Sequence, residues 1–482
     1  MKKNSFIIDK YGAISLLLFL AFYIFWLGLK ALFDSSILVH DSIIILIGWI
    51  GIIVLFFILI TYKKSRGSFL SLYTIFVLLS YLFNFGQCIM WSFGIHANDD
   101  ITNSLLYGFY TPSNKLILEA QLFFLVCILA IHASVMFFRV PSKNNNSVSL
   151  LNEKQKQTIK RAIFCVSITF SFIVIPLTFI NLFNIFRTAS TEGYYYLYYG
   201  QDQRTTIFIL QECFFTCLIG ILIGSSFNKK AMVFVYLIFA FYLALNLAIG
   251  ERGEWLYKLL ILVWIYHRFY KKIKIKTFVV LFLIGFLSLY LIRAIVAIRD
   301  YGVTYEAIKD ALFSNNSNPL FESIFEMGGT MSVNIFVINS NVAYQYGNSY
   351  FLSILAMPTM KIPAALGIDY VPISQWFSSD ILKINYGAAF SMYAEAYLNF
   401  GYIFAPTFLL LMGGLVKCIT NVFKKMPTDN PLLALFKIST TLYLFSMIRN
   451  TFHDFAKYWF LGCLPIIILS YFAIKYFGAK ND

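Results

Sequence analysis

The sequence reads as an all-α, polytopic integral membrane protein of about twelve transmembrane helices, and three observations carry that class. First, 59% of the 482 residues are hydrophobic and only 13% are charged. A soluble globule carries about a quarter charged residues, so water cannot cover this surface and lipid must. Second, apolar runs of spanning length recur along the chain between short polar stretches. Third, aromatic residues reach 19%, which fits aromatic belts at the headgroup level.

A spanning helix needs about 20 mostly apolar residues. Runs of that order lie at 11–29, 42–62, 69–91, 116–138, 162–183, 205–227, 231–249, 253–267, 277–297, 402–422, 431–448 and 456–474. The first is long enough to span and no small-residue cleavage site follows it, so it reads as a membrane helix and not a signal peptide. The run at 253–267 is short. It counts as a span because it keeps successive loops on alternating sides.

Orientation follows from where Lys and Arg collect. With the N-terminus inside, the inner segments hold Lys2, Lys3, Lys63, Lys64, Arg66, Lys271, Lys272, Lys274, Lys424 and Lys425, among others. The topology is therefore N-in, C-in. These clusters also account for the net charge of +15 as orientation signals, with no nucleic-acid partner required. Residues 1–297 carry transmembrane helices 1–9, and 402–482 carry helices 10–12. Between them, 298–401 forms a large extracytoplasmic, partly helical loop with short and re-entrant helices. Pro358, Pro363 and Pro372 exclude long helices there, while Phe351, Leu352, Trp376 and Phe377 hold it against the membrane. A loop of this length is usually functional.

The seven cysteines show no CxxC and no metal-ligand spacing, which predicts neither disulfides nor a metal site. No cofactor is expected. Charged residues near spans mark sites by default, because burying them in lipid is costly. Arg252 sits between two glycines in Gly250-Glu-Arg-Gly-Glu254, and Arg293, Arg299 and Arg449 lie at the outer ends of spans or just beyond. Bidentate guanidinium groups at one membrane face suit a diphosphate. Each could instead snorkel to the interface. The base candidates are Glu395 on an apolar helical stretch, Glu326 before Gly328-Gly329, and His453 with Asp454. A capping role for Glu395 is the competing reading. Tyr194 and Tyr195 belong to a tyrosine cluster that could stack on sugars or anchor at the interface.

These residues resemble the Wzy-type O-antigen or capsular oligosaccharide repeat-unit polymerases. The likeness rests on Gly250-Glu-Arg-Gly-Glu254, on Glu326-Met-Gly-Gly329, on Tyr346-Gly-Asn-Ser-Tyr350, and most on Gly387-Ala-Ala-Phe-Ser391 leading into Glu395-Ala-Tyr397-Leu-Asn399-Phe-Gly401. The sequence departs from the family pattern after Gly401, where Tyr-Ile-Phe-Ala-Pro replaces a more glycine-rich continuation. The resemblance implies a metal-independent glycosyltransferase of the bacterial cytoplasmic (inner) membrane. It would join undecaprenyl-diphosphate-linked repeat units at the outer leaflet, working with the lipid bilayer and a chain-length regulator protein. Arg252, Arg293, Arg299 and Arg449 would hold the diphosphate, and Glu395, His453 or Glu326 would take the hydroxyl proton. Tyr397, Asn399, Tyr194 and Tyr195 would meet the sugar. Two alternatives stay open: an O-antigen ligase-like transferase, and a flippase for the same lipid-linked sugar. The second should show duplicated halves and charges lining a cavity through the bilayer.

Overall fold

The computed structural model describes residues 10–35, 38–96, 112–137, 151–192, 206–249, 253–274, 276, 319–340, 342–384 and 389–479. Arg252, Arg293, Arg299, Tyr194, Tyr195 and the expected span at 277–297 lie outside them. The described chain is helical, with no strand among the described residues.

Helices α1 (Lys10–Phe33), α2 (Asp41–Arg66), α3 (Leu72–Ser92) and α4 (Asn114–Phe137) open the bundle. α4 is apolar on all sides and buried from Ile117 to Met136, as a central helix must be. α2 is different. It buries a narrow stripe of Ile44, Gly48, Gly51, Val54 and Ile58, while Leu46, Ile53 and Phe56 stay exposed. An uncovered apolar face of that kind is a lipid-facing one.

A second group follows. α5 (Glu153–Glu192) packs on α6 (Phe214–Gly224) and α7 (Lys229–Ile249), and α8 (Glu254–Ile265) follows α7. Next come the short helices α9 (Pro319–Met327), α10 (Met331–Asn339), α11 (Asn348–Ala356), α12 (Lys361–Ala365) and α13 (Ile373–Trp376). The chain ends with α14 (Met392–Thr420), α15 (Met426–Asp429), α16 (Pro431–Met447), α17 (Phe452–Gly462) and α18 (Leu464–Ala479).

Eight helical stretches among the described residues are long and apolar enough to cross a membrane, and Ile209–Gly224 and Pro431–Met447 are shorter apolar helices. The polytopic class holds. Two expected spans fall short for local reasons. The run at 205–227 begins as a 3-10 helix over Thr206–Cys213, and the run at 253–267 gives only the 12 residues of α8. At about 1.5 Å per residue, α8 reaches little more than half the hydrocarbon thickness.

The segment after Pro319 contains the expected short helices, yet its first half is built into the bundle and does not lie over it. α9 and α10 pack on α3, and α10 also meets α4 and α14. Gly328 makes this possible. A Cβ there would come within 2.5 Å of the Gln87 backbone nitrogen, so only glycine allows the two backbones to approach so closely. α14 starts earlier than the expected span, at Met392, and breaks at Gly401 (φ 68°, ψ −169°). Its second half coincides with that span. The Tyr344 ring lies where a Gly401 Cβ would project.

Two cations mark one end of the bundle. Arg66 donates to the Val135 carbonyl at 3.5 Å and lies near Lys417, at the end where α2, α4 and the second half of α14 finish. The N-termini of α4, α14 and α17 lie at the other end, and the site is there.

Candidate functional site

Glu395 is the centre of the site. It sits in the first turn of α14, whose N-cap Ser391 accepts the Tyr393 N–H, and it is 1% exposed. Its Oε1 accepts from the Ser349 hydroxyl at 3.2 Å, and its Oε2 accepts from the Phe452 N–H at 2.6 Å. Phe452 is the first residue of α17, so the carboxylate satisfies one of that helix's free N–H groups and faces the positive end of its dipole. The next turn is closed by a capping box between Thr451 and Asp454. Asp454, half of an expected base pair, is therefore engaged as a cap.

Asn399, one turn after Glu395, completes the junction. Its amide donates to the Ser349 hydroxyl at 2.7 Å and to the Glu395 carbonyl at 2.8 Å, and its oxygen accepts the Gly347 N–H at 3.1 Å. Both amide protons are thus used within the protein. Ser353 extends the network: its hydroxyl donates to the Ser349 carbonyl at 2.6 Å and lies 2.9 Å from the Tyr370 hydroxyl. Since the single Ser353 proton is already used, Tyr370 is the donor to it. Burial pushes the Tyr370 hydroxyl up to about 12; the Ser353 bond opposes this, and the Glu395 and Asp454 carboxylates add to it. Tyr370 stays protonated at neutral pH.

His453 follows on α17, 4% exposed, with the Tyr370 ring against its own at 5.7 Å in an edge arrangement. Its Nδ1 is occluded and has no hydrogen-bond partner. No bond closes on its other nitrogen among the described residues. That leaves a buried imidazole with proton-accepting capacity free.

Arg449 precedes this turn. Its backbone carbonyl accepts the Phe390 N–H at 3.0 Å, its guanidinium lies over the Phe83 ring at 5.5 Å, and its Nε is buried without a partner. Among the described residues no carboxylate lies within 4.0 Å of it. Beneath it, Asn84 donates to the Ile448 carbonyl at 3.4 Å and accepts from Ser391 at 2.7 Å and Asn334 at 3.2 Å. This knot joins α3, α10, α14 and the end of α16, and it holds the turn that carries Arg449.

The structure therefore brings together Glu395, Asn399, His453 and Arg449. Glu326 is exposed on α9, which packs on α3. Tyr397 faces the other way from Glu395 and Asn399, its ring edge-on to Phe123 of α4 at 5.2 Å. Ser349, Ser353, Tyr370 and Asn84 were not singled out from the sequence. Only Ser349 had a visible signal there, lying inside Tyr346-Gly-Asn-Ser-Tyr350. Among the described residues no group of three His, Cys, Asp or Glu side chains could hold a metal.

The family model for the O-antigen polysaccharide polymerase Wzy matches residues 13–481, nearly the whole chain. The chain belongs to the Wzy family. Membership makes it a membrane polymerase of the glycosyltransferase type, acting on lipid-linked oligosaccharide. Comparison with curated proteins and with solved structures gives no match. The Wzy assignment covers the N-terminal bundle and the α11–α14–α17 junction alike.

Proposed function

We propose that this Wzy chain joins undecaprenyl-diphosphate-linked oligosaccharide repeat units at the outer leaflet of the bacterial inner membrane, with its catalytic site at the α14–α17 junction. The observation that carries the reading is Arg449: a half-buried guanidinium with no carboxylate partner among the described residues, one turn from a histidine with unused nitrogens. An unneutralised cation held in place is prepared for an anion.

In this reading a hydroxyl oxygen of the acceptor glycan attacks the anomeric carbon of the lipid-linked donor. The carbon–oxygen bond to the diphosphate breaks, and undecaprenyl diphosphate leaves with the bonding electron pair. Arg449 stabilises that leaving charge; Arg252, Arg293 and Arg299 join it on the strength of the sequence alone. Such charge stabilisation needs no metal. The hydroxyl proton passes to His453. Glu395 is the poorer base, because fixed donors already occupy both its oxygens; it positions α17 and so aims His453. Glu326 has no role here. A chain-length regulator would act on this chain from outside the site.

A second reading makes Glu395 itself the base, favoured by its complete burial beside the Tyr370–Ser353–Ser349 hydroxyl chain. The pH profile of polymerisation separates the two. His453→Gln should leave single repeat units on the lipid, with no ladder. Glu395→Gln should slow polymerisation and keep the acid limb of the profile, where the rate falls as His453 takes up a proton. A full ladder from His453→Gln overturns the first reading, and loss of the limb in Glu395→Gln alone establishes the second.

A further inference from the structure

Glu119 takes no part in the junction above, and its surroundings are unusual for a structural acid. It lies near the start of α4 and is 5% exposed. Among the described residues no hydrogen bond or ion pair closes on its carboxylate. The nearest cations are engaged elsewhere: Lys30 pairs with Asp34 at 3.0 Å, and the Lys115 ammonium donates to the Ser35 carbonyl. Removing a carboxylate from water without giving it a donor is costly. Among the described residues nothing supplies that donor, so the carboxylate is left able to accept from a ligand's hydroxyl.

Beside Lys30, Asp34 and Lys115, two aromatic hydroxyls also face Glu119. Tyr397 and Tyr402 of α14 lie within its electrostatic reach. The Tyr402 hydroxyl is committed to the Trp26 carbonyl, and its ring stacks on Trp26 at 4.0 Å. Tyr397 is different: among the described residues no hydrogen bond closes on its hydroxyl, and its ring lies 6.5 Å from that of Tyr344. Tyr344 is 43% exposed, so this pair opens to the surface. A carboxylate repels phosphate. It accepts well from hydroxyl groups, and tyrosine rings cover the C–H faces of a sugar.

The placement matters as much as the chemistry. Glu395 and Asn399 face α11 and α17, whereas Tyr397, between them, faces α4. The segment before α11 crosses α14 at this level: Gln345 donates to the Leu398 carbonyl at 3.1 Å and Tyr346 to the Asn399 carbonyl at 2.9 Å. Tyr344 therefore falls on the Tyr397 side and Gly347 on the Asn399 side. One short strap touches both faces of the helix.

We infer that Glu119, Tyr397 and Tyr344 form a second saccharide subsite, which binds a neutral hydroxylated sugar on the far face of α14 from Glu395. The assignment of this sugar to one of two glycans held at once rests on the polymerase reading, because joining two units requires both to be present. The test uses the full chain in lipid nanodiscs, titrated with methyl β-glucoside, methyl β-galactoside and methyl β-N-acetylglucosaminide. Binding is read by saturation-transfer difference NMR. At least one glycoside should bind, and Glu119→Gln should weaken it about tenfold or more. Tyr344→Phe, a half-exposed ring that loses only its hydroxyl, should weaken it in the same direction and leaves folding untouched. No binding by any glycoside, or equal binding by wild type and both variants, overturns the subsite. Glycoside binding that depends on Glu119 in a chain that makes no polymer would overturn the polymerase reading and keep the subsite. Normal polymer from a chain whose glycoside binding ignores both substitutions would do the reverse.

Discussion

At the residue scale the account rests on which polar groups are used up and which are left over. Asn399 and Glu395 are used up. They hold α11, α14 and α17 together through bonds of 2.6–3.2 Å to Ser349 and Phe452. Asn399→Ala would leave the partly buried Gly347 N–H without its acceptor and remove one of the two bonds at the Ser349 hydroxyl, which keeps its bond to Glu395, at a cost of about 1–3 kcal/mol. The purified variant should melt at a lower temperature than wild type, and an unchanged midpoint would show that the network is not structural. Among the described residues His453 and Arg449 are left over, and the proposed chemistry rests on them. Much of this was legible in the sequence: Glu395, His453 and Arg449 stood out as charge or titratable groups in apolar surroundings. Glu119 obeys the same rule, a lone acid at the start of an apolar run, but it lies outside the motifs that carry the family resemblance. Tyr370 and Ser353 were beyond reach, since their role depends on a contact that only the folded α11 and α13 region creates. The same is true of Asn84, whose partners Ser391 and Ile448 are hundreds of residues away.

At the element scale, hydropathy located apolar helices well and judged their lengths less well. It reads composition, and composition does not distinguish the 3-10 geometry of Thr206–Cys213 from α-helix. Nor does it register the end of α8 at Ile265, where a wider turn over Tyr266–Tyr270 leads into an extended, basic stretch. The prolines correctly excluded long helices between α10 and α14. What they could not show is that α9 packs on α3 and α10 is buried in the bundle, because that depends on a backbone-to-backbone contact at Gly328. Gly328→Val places two methyl groups and a Cβ against the α3 backbone at Gln87, which has no side chain to move aside. The α9–α10 junction must lift from α3, with a loss of about 1–3 kcal/mol or more. A lower yield of folded protein and a lower melting temperature should follow. A wild-type melting curve would contradict the close approach.

At the scale of the whole molecule, the arrangement puts a basic end and a chemical end on one bundle. Arg66 and Lys417, two of the cations that set orientation, lie away from Glu395, His453, Arg449 and Glu119. With the basic end inside, the orientation that the positive-inside rule favours, the proposed reading puts every group assigned to chemistry at the outer membrane face. The break of α14 at Gly401 lies at this face, and the strap from Tyr344 to Gly347 crosses there, so one helix can serve two glycans. The central claim is that Arg449 holds the departing diphosphate, and it is tested most directly with the full chain in proteoliposomes supplied with purified undecaprenyl-diphosphate-linked repeat unit. The measurement is polymer length on a gel together with undecaprenyl diphosphate released per linkage. Wild type should give a ladder, with one lipid diphosphate freed for each unit added; Arg449→Ala, inserted and folded, should leave the single-repeat band and free about a hundredth as much or less. Equal ladders and equal release from the two proteins would contradict the account.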